Sequence, residues 1–147
     1  MKALIIGGGG FVGPYLVNHL VNDLKWEVTV TKTAKEALEM DNANVVNLDI
    51  LDKAQIGEVL SKEQPDYIFH LAAQSSVAYS WKNPALTIDV NVKGCVNVLD
   101  AVRDCDKKAR VLLIGSGEEY GHIRQGECPI TEENNVRPGN IYAATKS

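Results

Sequence analysis

Residues Leu4–Gly13 read Leu-Ile-Ile-Gly-Gly-Gly-Gly-Phe-Val-Gly, a short apolar run that passes into four consecutive glycines. Gly7, Gly10 and Gly13 fall three residues apart, and a helical pattern of apolar residues follows directly. Because glycine has no Cβ, it can adopt positive φ in a tight turn and allow the backbone to approach a phosphate group closely. The stretch therefore predicts a strand, a phosphate-binding turn and a helix, which together begin a dinucleotide-binding fold.

The composition fits one globular domain with a sizeable core. The chain has 147 residues, of which 45% are hydrophobic and 23% charged, and its net charge is −4. It has no broad basic surface, so we expect no nucleic-acid partner. No apolar run approaches the roughly 18 to 20 residues that span a bilayer, and no signal-peptide core precedes the first predicted strand. We therefore expect no membrane association and a cytoplasmic location.

The cysteines and histidines do not indicate a metal site. Cys95, Cys105 and Cys128 are odd in number and lack metal-ligand spacing, so we expect reduced thiols and no bound metal. His70 lies in a predicted strand, where a hydrogen-bonded core residue is the expected role.

Apolar periodicity predicts strands that alternate with helices along the chain. The predicted strands cover residues 2–6, 26–31, 45–48, 67–71 and 110–114. The predicted helices cover residues 12–24, 53–62 with Asp52 as N-cap, a long helix from Pro84 or Ala85 to Cys105, and a helix that begins at Tyr142. This alternation implies right-handed crossovers. The predicted fold class is α/β, a Rossmann-type doubly wound parallel sheet that is incomplete at its carboxyl end.

The long helix carries two apolar stripes. The Ile88 stripe consists of Ile88, Val92, Cys95, Val96, Leu99 and Val102. The Val90 stripe consists of Val90, Gly94, Val98, Ala101 and Cys105. Two apolar faces suggest two neighbours, so we expect one face to pack on the sheet and the other on a partner subunit. The alternative is that both faces are buried within the domain.

The residues after the second predicted strand indicate whether the dinucleotide is NAD or NADP. An acidic residue usually stands here and hydrogen-bonds the adenosine ribose. Residues 31–35 read Thr-Lys-Thr-Ala-Lys, and the first carboxylate is Glu36. Lys32 and Lys35 can pair with a 2′-phosphate, and the absent carboxylate removes a repulsion. We therefore expect NADP, with NAD as the alternative if these lysines are only solvated loop charges.

The end of the third predicted strand is expected to meet the adenine. Asp49 and Ile50 stand at this position, where Asp49 can contribute a hydrogen bond and Ile50 apolar packing. The alternative is that Asp49 only begins a turn.

Ordered motifs along the chain resemble one enzyme family. They are Gly7-x-x-Gly10-Phe11-Val12-Gly13, Asp49-Ile50, His70-Leu71-Ala72-Ala73-Gln74-Ser75-Ser76-Val77, Asn91, Ser116-Gly-Glu-Glu-Tyr-Gly121 and Tyr142-Ala-Ala-Thr-Lys146. In this order they resemble the extended short-chain dehydrogenase/reductases, the NAD-dependent epimerase/dehydratase family, which act on nucleotide sugars. The segments after the fourth and fifth predicted strands look most like enzymes that act on GDP-linked deoxyhexoses. The resemblance spans nearly the whole chain.

The resemblance implies a set of cofactor-binding residues. They are Gly7, Gly10, Phe11, Val12, Gly13, Thr31, Lys32, Asp49, Ile50, Leu71, Ala72, Ala73, Asn91, Tyr142 and Lys146. Lys146 would hold the nicotinamide ribose.

Tyr142, Lys146 and Ser116 are the candidate catalytic residues. Tyr142 and Lys146 are four residues apart, so on a helix their Cβ atoms lie within about 6 Å on one face. A nearby ammonium favours phenolate over phenol, so Tyr142 can give a proton to a carbonyl oxygen or take one from an alcohol. Ser116 follows the fifth predicted strand and can hydrogen-bond the same oxygen. A Tyr-x-x-x-Lys pair alone is otherwise typical of an exposed helix face.

Glu118 only partly distinguishes a dehydratase from a reductase. In the resembling dehydratases this glutamate removes the proton α to a transient ketone, but related reductases share the Glu-Glu-Tyr-Gly segment. Gly117 departs from the aspartate of dTDP-glucose dehydratases and argues against that branch. We expect reduction of the C4 ketone of GDP-4-keto-6-deoxymannose, with Tyr142 as proton donor. GDP-mannose 4,6-dehydration with Glu118 as base is the alternative, and a non-catalytic NADP-binding module is the second.

The resemblance also predicts how these residues are organised. Family members continue well beyond this point, so we expect residues 1–147 to form a truncated NAD(P)-binding Rossmann domain without its substrate domain. We expect this piece to be inactive alone. We also expect a homodimer, formed through the helix of residues 85–105 and the helix that begins at Tyr142.

Overall fold

The computed structural model describes residues 1–147 and contains one parallel sheet. Its strands are β1 (Lys2–Ile6), β2 (Glu27–Lys32), β3 (Asn44–Asn47), β4 (Tyr67–His70) and β5 (Arg110–Leu113). Their order in the sheet is β3-β2-β1-β4-β5, with all neighbours parallel. The connections run outward in opposite directions from β1 and β4, so the carboxyl ends of these two strands form the switch point where such folds bind ligands. The predicted Rossmann-type fold class is confirmed.

Six helices connect or flank the strands. They are α1 (Gly13–Asn18), α2 (Lys53–Glu63), α3 (Val77–Lys82), α4 (Pro84–Ile88), α5 (Gly94–Asp104) and α6 (Ile141–Lys146). π-helical turns extend α1 through His19–Asp23 and join α4 to α5 through Asp89–Lys93, and a 3-10 turn covers Gly117–Tyr120. The predicted N-cap of α2 is confirmed, because Asp52 Oδ1 accepts a hydrogen bond from Gln55 N at 3.0 Å.

The prediction missed α3 and the π-helical turn at Asp89–Lys93 within the long helix. The Ser76 side chain caps α3 by accepting a hydrogen bond from Tyr79 N at 3.2 Å. Asn83 separates α3 from α4 with φ −135° and ψ 65°. A proline disfavours helical geometry in the residue before it, so Pro84 explains this break. A helix of six residues gives too short a periodic pattern to be recognised from sequence.

Both faces of the sheet are covered. Successive residues of β1 point to opposite faces, so this strand contributes to a buried cluster on each face. On one face, Leu4 and Ile6 join a buried cluster with Leu48, Ile50, Ile56, Leu60, Ile68, Val98 and Ala101, which includes residues of α2 and α5. On the other face, Ala3 and Ile5 join Val17, Leu20, Val28 and Val30, which include residues of α1 and β2. The sheet is therefore fixed from both sides around β1.

The described helices are all too short or too polar to cross a lipid bilayer.

Candidate functional site

The turn that follows β1 packs closely against its surroundings because its glycines lack a side chain. Gly7 has φ +79°, and a Cβ there would overlap the backbone of Ala72. A Cβ on Gly13 would overlap the carbonyl group of Gly8. Gly10 is different, since no atom lies within 4 Å of the position that its Cβ would occupy. The turn thus packs tightly against the protein and leaves open space at Gly10.

Hydrogen bonds from both neighbouring strands hold this turn. Gly7 N donates to Thr31 Oγ1 at 3.1 Å, and Gly8 N donates to the Thr31 carbonyl at 3.2 Å. Thr31 is buried at the end of β2. On the other side, Ala72 N donates to the Ile6 carbonyl at 2.8 Å. The turn is therefore preorganised by β2 and by the loop that follows β4.

A cleft of about 480 Å³ opens over this turn at the carboxyl edge of the sheet. Its volume lies within the range usual for small-molecule sites. It is lined by most of the predicted cofactor-binding residues: Gly7, Gly10, Phe11, Val12, Gly13, Thr31, Lys32, Asp49, Ile50, Leu71, Ala72 and Ala73. Further lining residues that the prediction did not include are Ile6, Thr33, Glu36, Leu48, Leu51, Ser75, Val90 and Ile114.

Glu36 is the acidic residue among these additional lining residues. Its Oε2 accepts a hydrogen bond from Thr33 N at 2.8 Å, which turns the carboxylate back towards the end of β2. Lys35, which the sequence suggested as a phosphate ligand, is exposed and is not part of the cleft lining. The Thr-x-x-Glu spacing of Thr33 and Glu36 is a recognised signal for such a reciprocal turn, so the sequence contained this information.

Asn91 was predicted to contact the cofactor, but its amide is used within the protein. Asn91 is buried and does not line the cleft. Its Oδ1 accepts from Gln74 N at 2.8 Å, while its Nδ2 donates to the Gln74 carbonyl at 3.0 Å and to Thr145 Oγ1 at 2.8 Å. Asn91 therefore ties the loop after β4 to α6. The cofactor contact expected of Asn91 stays a prediction, beside this structural role.

The segment after β5 is joined to the start of α6. Ser116 Oγ accepts a hydrogen bond from Glu118 N at 3.2 Å and begins the 3-10 turn. Asn140 caps α6, since its Oδ1 accepts from Ala143 N at 2.7 Å. The Nδ2 of Asn140 donates to Glu118 Oε2 at 3.0 Å. Ser116 and α6 thus lie at the same edge of the sheet, with the Glu118 carboxylate between them.

Tyr142 and Lys146 are half-buried on α6 and do not line the cleft. Burial lowers the pKa of the Lys146 ammonium, while the Cys95 thiol and the Glu119 carboxylate act in the opposite direction. Cys95 lies at the start of α5 and Glu119 in the 3-10 turn, so their proximity to Lys146 arises only from the packing of α6 against the 3-10 turn and the π-helical turn before α5.

His70 lies at the end of β4 with only 6% of its surface exposed. Its Nδ1 has no hydrogen-bond partner within the protein, so the expectation of a hydrogen-bonded core histidine is corrected for this atom. Burial, with a smaller effect of the Lys146 ammonium, lowers the pKa of His70 to about 4. The imidazole is therefore neutral at pH 7.

A parallel sheet that carries a glycine turn, Ser116 and a Tyr-x-x-x-Lys helix at one edge defines a short-chain dehydrogenase/reductase of the Rossmann type. Comparison with protein families agrees, because the family model for GDP-mannose 4,6 dehydratase matches residues 4–147. The chain belongs to this family, within the NAD-dependent epimerase/dehydratases.

Curated relatives cover several nucleotide-sugar enzymes. The chain is 34% identical over 149 residues to UDP-glucose 4-epimerase of Lactobacillus helveticus, covering 99% of this chain and 44% of that protein. It is 33% identical over 172 residues to dTDP-glucose 4,6-dehydratase 1 of Escherichia coli, covering 100% and 48%. It is 30% identical over 145 residues to GDP-6-deoxy-D-mannose reductase of Pseudomonas aeruginosa, covering 99% and 43%. The chain thus spans somewhat less than half the length of these relatives.

Solved structures share the fold. The UDP-glucose 4-epimerase of Thermus thermophilus in complex with NAD superposes with a TM-score of 0.89 at 30% identity, covering 99% of this chain and 47% of that one. The NAD complex of the Brucella ovis enzyme gives a TM-score of 0.88 at 29% identity, with coverage of 99% and 44%.

The buried imidazole of His70 predicts a pH dependence of stability. Its pKa is about 4 in the folded chain against 6.5 when unperturbed, so the unfolded chain takes up this proton first as the pH falls. The free energy of unfolding should therefore fall between pH 6.5 and pH 4, by roughly 3 kcal/mol for the full shift. Urea unfolding of His70→Asn should show a smaller loss across this window, whereas the exposed-site variant His122→Asn should match the original protein. Equal losses in all three proteins would contradict the prediction.

Proposed function

We propose that residues 1–147 form the NAD(P)-binding domain of a nicotinamide-dependent nucleotide-sugar oxidoreductase. One observation carries this proposal: the glycine turn and the segments with Ser116, Tyr142 and Lys146 share the carboxyl edge of one sheet. In such a fold a cofactor on the turn and a substrate beside α6 can meet. The cytoplasmic location expected from the sequence stays a prediction.

The residues of the cleft fit a dinucleotide. The open space at Gly10 leaves room for a diphosphate against the backbone, and the amino end of α1 has N–H groups without helical partners. Asp49 and Ile50 line the far part of the cleft and would contact the adenine. Lys32, at the end of β2, also lines the cleft and would attract the 2′-phosphate of NADP, while Glu36 lines the same cleft with a carboxylate that would repel it.

The catalytic side chains would act on the substrate carbonyl. When bound, the reduced nicotinamide supplies the hydride that adds to C4 of the sugar. Tyr142 donates its hydroxyl proton to the C4 oxygen, so that the ketone becomes an alcohol. The Lys146 ammonium stabilises the phenolate that remains. Ser116 Oγ accepts a hydrogen bond within its own turn, and its hydroxyl hydrogen donates to no protein atom, so it can donate to the same oxygen.

We propose GDP-4-keto-6-deoxymannose as the substrate of this reduction. The match to the GDP-mannose 4,6 dehydratase family and the likeness to a GDP-6-deoxy-D-mannose reductase support a GDP-linked sugar. The hydrogen bond between Asn140 and Glu118 favours the reductase, because it gives the Glu118 carboxylate a structural use. The same carboxylate lies beside α6, which favours GDP-mannose 4,6-dehydration with Glu118 as base as the second candidate. A non-catalytic NADP-binding module is the third.

The full-length protein distinguishes these functions by its substrate requirement. A reductase should oxidise the reduced cofactor only when GDP-4-keto-6-deoxymannose is present, whereas a dehydratase should consume GDP-mannose without added reductant. Tyr142→Phe removes the proton donor and should lower turnover at least about 100-fold, with cofactor affinity retained. The control Tyr79→Phe changes an exposed tyrosine of α3 and should remain active. An intact protein that binds cofactor but turns over no keto sugar nucleotide would support the binding module instead.

We also propose that the protein is a homodimer through the long helical segment and α6. Val98 and Ala101 of the Val90 stripe are buried against the sheet. Four of the six residues of the Ile88 stripe are exposed, with fractions of 49% at Ile88, 42% at Val92, 51% at Val96 and 40% at Leu99. An apolar stripe of this kind is typical of a subunit interface.

Sedimentation of the full-length protein at micromolar concentration tests the homodimer. The protein should sediment as a dimer, and Val96→Lys should sediment as a monomer because it places a charge in the apolar stripe. Val136→Lys is the matched control, since Val136 is also 51% exposed but lies in a loop away from the stripe. A monomeric original protein, or a dimeric Val96→Lys variant, would rule out this interface.

A further inference from the structure

We propose that Glu36 selects NAD over NADP, because its carboxylate stands where the 2′ substituent of the adenosine ribose would lie. This inference rests on the proposed function, since it requires that the cleft binds a nicotinamide dinucleotide. Glu36 lies in the loop that follows β2, and the end of β2 itself has no acidic residue.

One hydrogen bond holds the carboxylate of Glu36, and a second holds its backbone. Glu36 N donates to the Thr33 carbonyl at 3.1 Å, and Thr33 N donates to Glu36 Oε2 at 2.8 Å. The two residues thus form a reciprocal turn that begins directly after β2. A side chain on an exposed loop would otherwise sample many rotamers, and this turn limits it to the side of the cleft.

The carboxylate of Glu36 lies close to the glycine turn. A Cβ built on Gly9 would lie 3.9 Å from Glu36 Oε2. The nearest atom to that Cβ would be Leu38 Cδ2, at 3.6 Å. Glu36 also lines the cleft together with Thr31 and Lys32. The carboxylate therefore borders the glycine turn at the end of β2, which is the adenosine side of a dinucleotide bound across this edge.

The chemistry of a carboxylate at this point discriminates between the two cofactors. Glu36 Oε1 makes no hydrogen bond in the protein, so it can accept from a ribose hydroxyl. A 2′-phosphate has no such hydroxyl and carries a charge of about −1.5 to −2 at neutral pH, so it is repelled by the carboxylate.

Lys32 and Lys35 differ in whether they can reduce the repulsion between the Glu36 carboxylate and a 2′-phosphate. Lys35 is exposed and outside the cleft lining, so it does not face a bound ribose. Lys32 lines the cleft and would attract a phosphate. Glu36 adds a negative charge to the same cleft, which opposes the attraction of Lys32 for a phosphate, whereas a carboxylate oxygen can still accept a hydrogen bond from a hydroxyl. Selection of NADP through Lys32 is the competing outcome of the experiment.

Calorimetric titration of the full-length protein with NAD and with NADP tests the proposal without measuring catalysis. The original protein should bind NAD at least about tenfold more tightly than NADP. Glu36→Gln retains an oxygen for the Thr33 N–H and removes the charge, so it should bind NAD more weakly and NADP more tightly. The NADP to NAD ratio of dissociation constants should fall by about 10- to 100-fold.

Glu39→Gln is the matched control, because Glu39 is an exposed glutamate of the same loop that does not line the cleft. Its ratio should equal that of the original protein. A preference of the original protein for NADP, or an unchanged ratio in Glu36→Gln, would overturn the role of Glu36 while the dinucleotide site stands. Binding of neither cofactor would overturn the proposed function and this inference together.

Discussion

The close contact between Gly7 and the backbone of Ala72 is the constraint on which the rest of the structure depends. Gly7 has positive φ and no room for a Cβ, so the end of β1 lies directly against the loop that follows β4. Thr31 holds the same turn from the side of β2 through its hydroxyl and its carbonyl. The cleft forms at this junction because the ends of β1, β2 and β4 meet there, with no side chain between Gly7 and Ala72. Any larger residue at position 7 would separate the walls of the cleft.

The edge of the sheet that carries Tyr142 and Lys146 depends on polar contacts rather than on core packing. Helix α6 has six residues, of which only Ala143 is buried. Asn140 joins its first turn to Glu118, and Asn91 joins its last turn to the loop after β4 through Thr145. The positions of Tyr142 and Lys146 are therefore coupled to the segment after β5 and to the loop after β4. The same loop lines the cleft over the glycine turn, so the cleft and α6 are both supported by this loop.

The parallel sheet, the glycine turn and the N-cap of α2 were predictable because periodicity, missing side chains and capping residues are local signals. Other features depend on how distant residues meet. The hydrogen bonds of Asn91 with Gln74 and Thr145 could not be predicted, since only the folded chain brings these residues to its amide. Glu36 was not assigned to the site because it follows the strand by several residues, although its spacing from Thr33 allows the carboxylate to return to the cleft.

A crystal structure of the full-length protein with a bound nicotinamide dinucleotide tests the central claim most directly. The diphosphate should lie over Gly10 at the amino end of α1, and the nicotinamide should face the hydroxyl groups of Ser116 and Tyr142. A dinucleotide bound outside this cleft, or a nicotinamide directed away from Tyr142, would contradict the account.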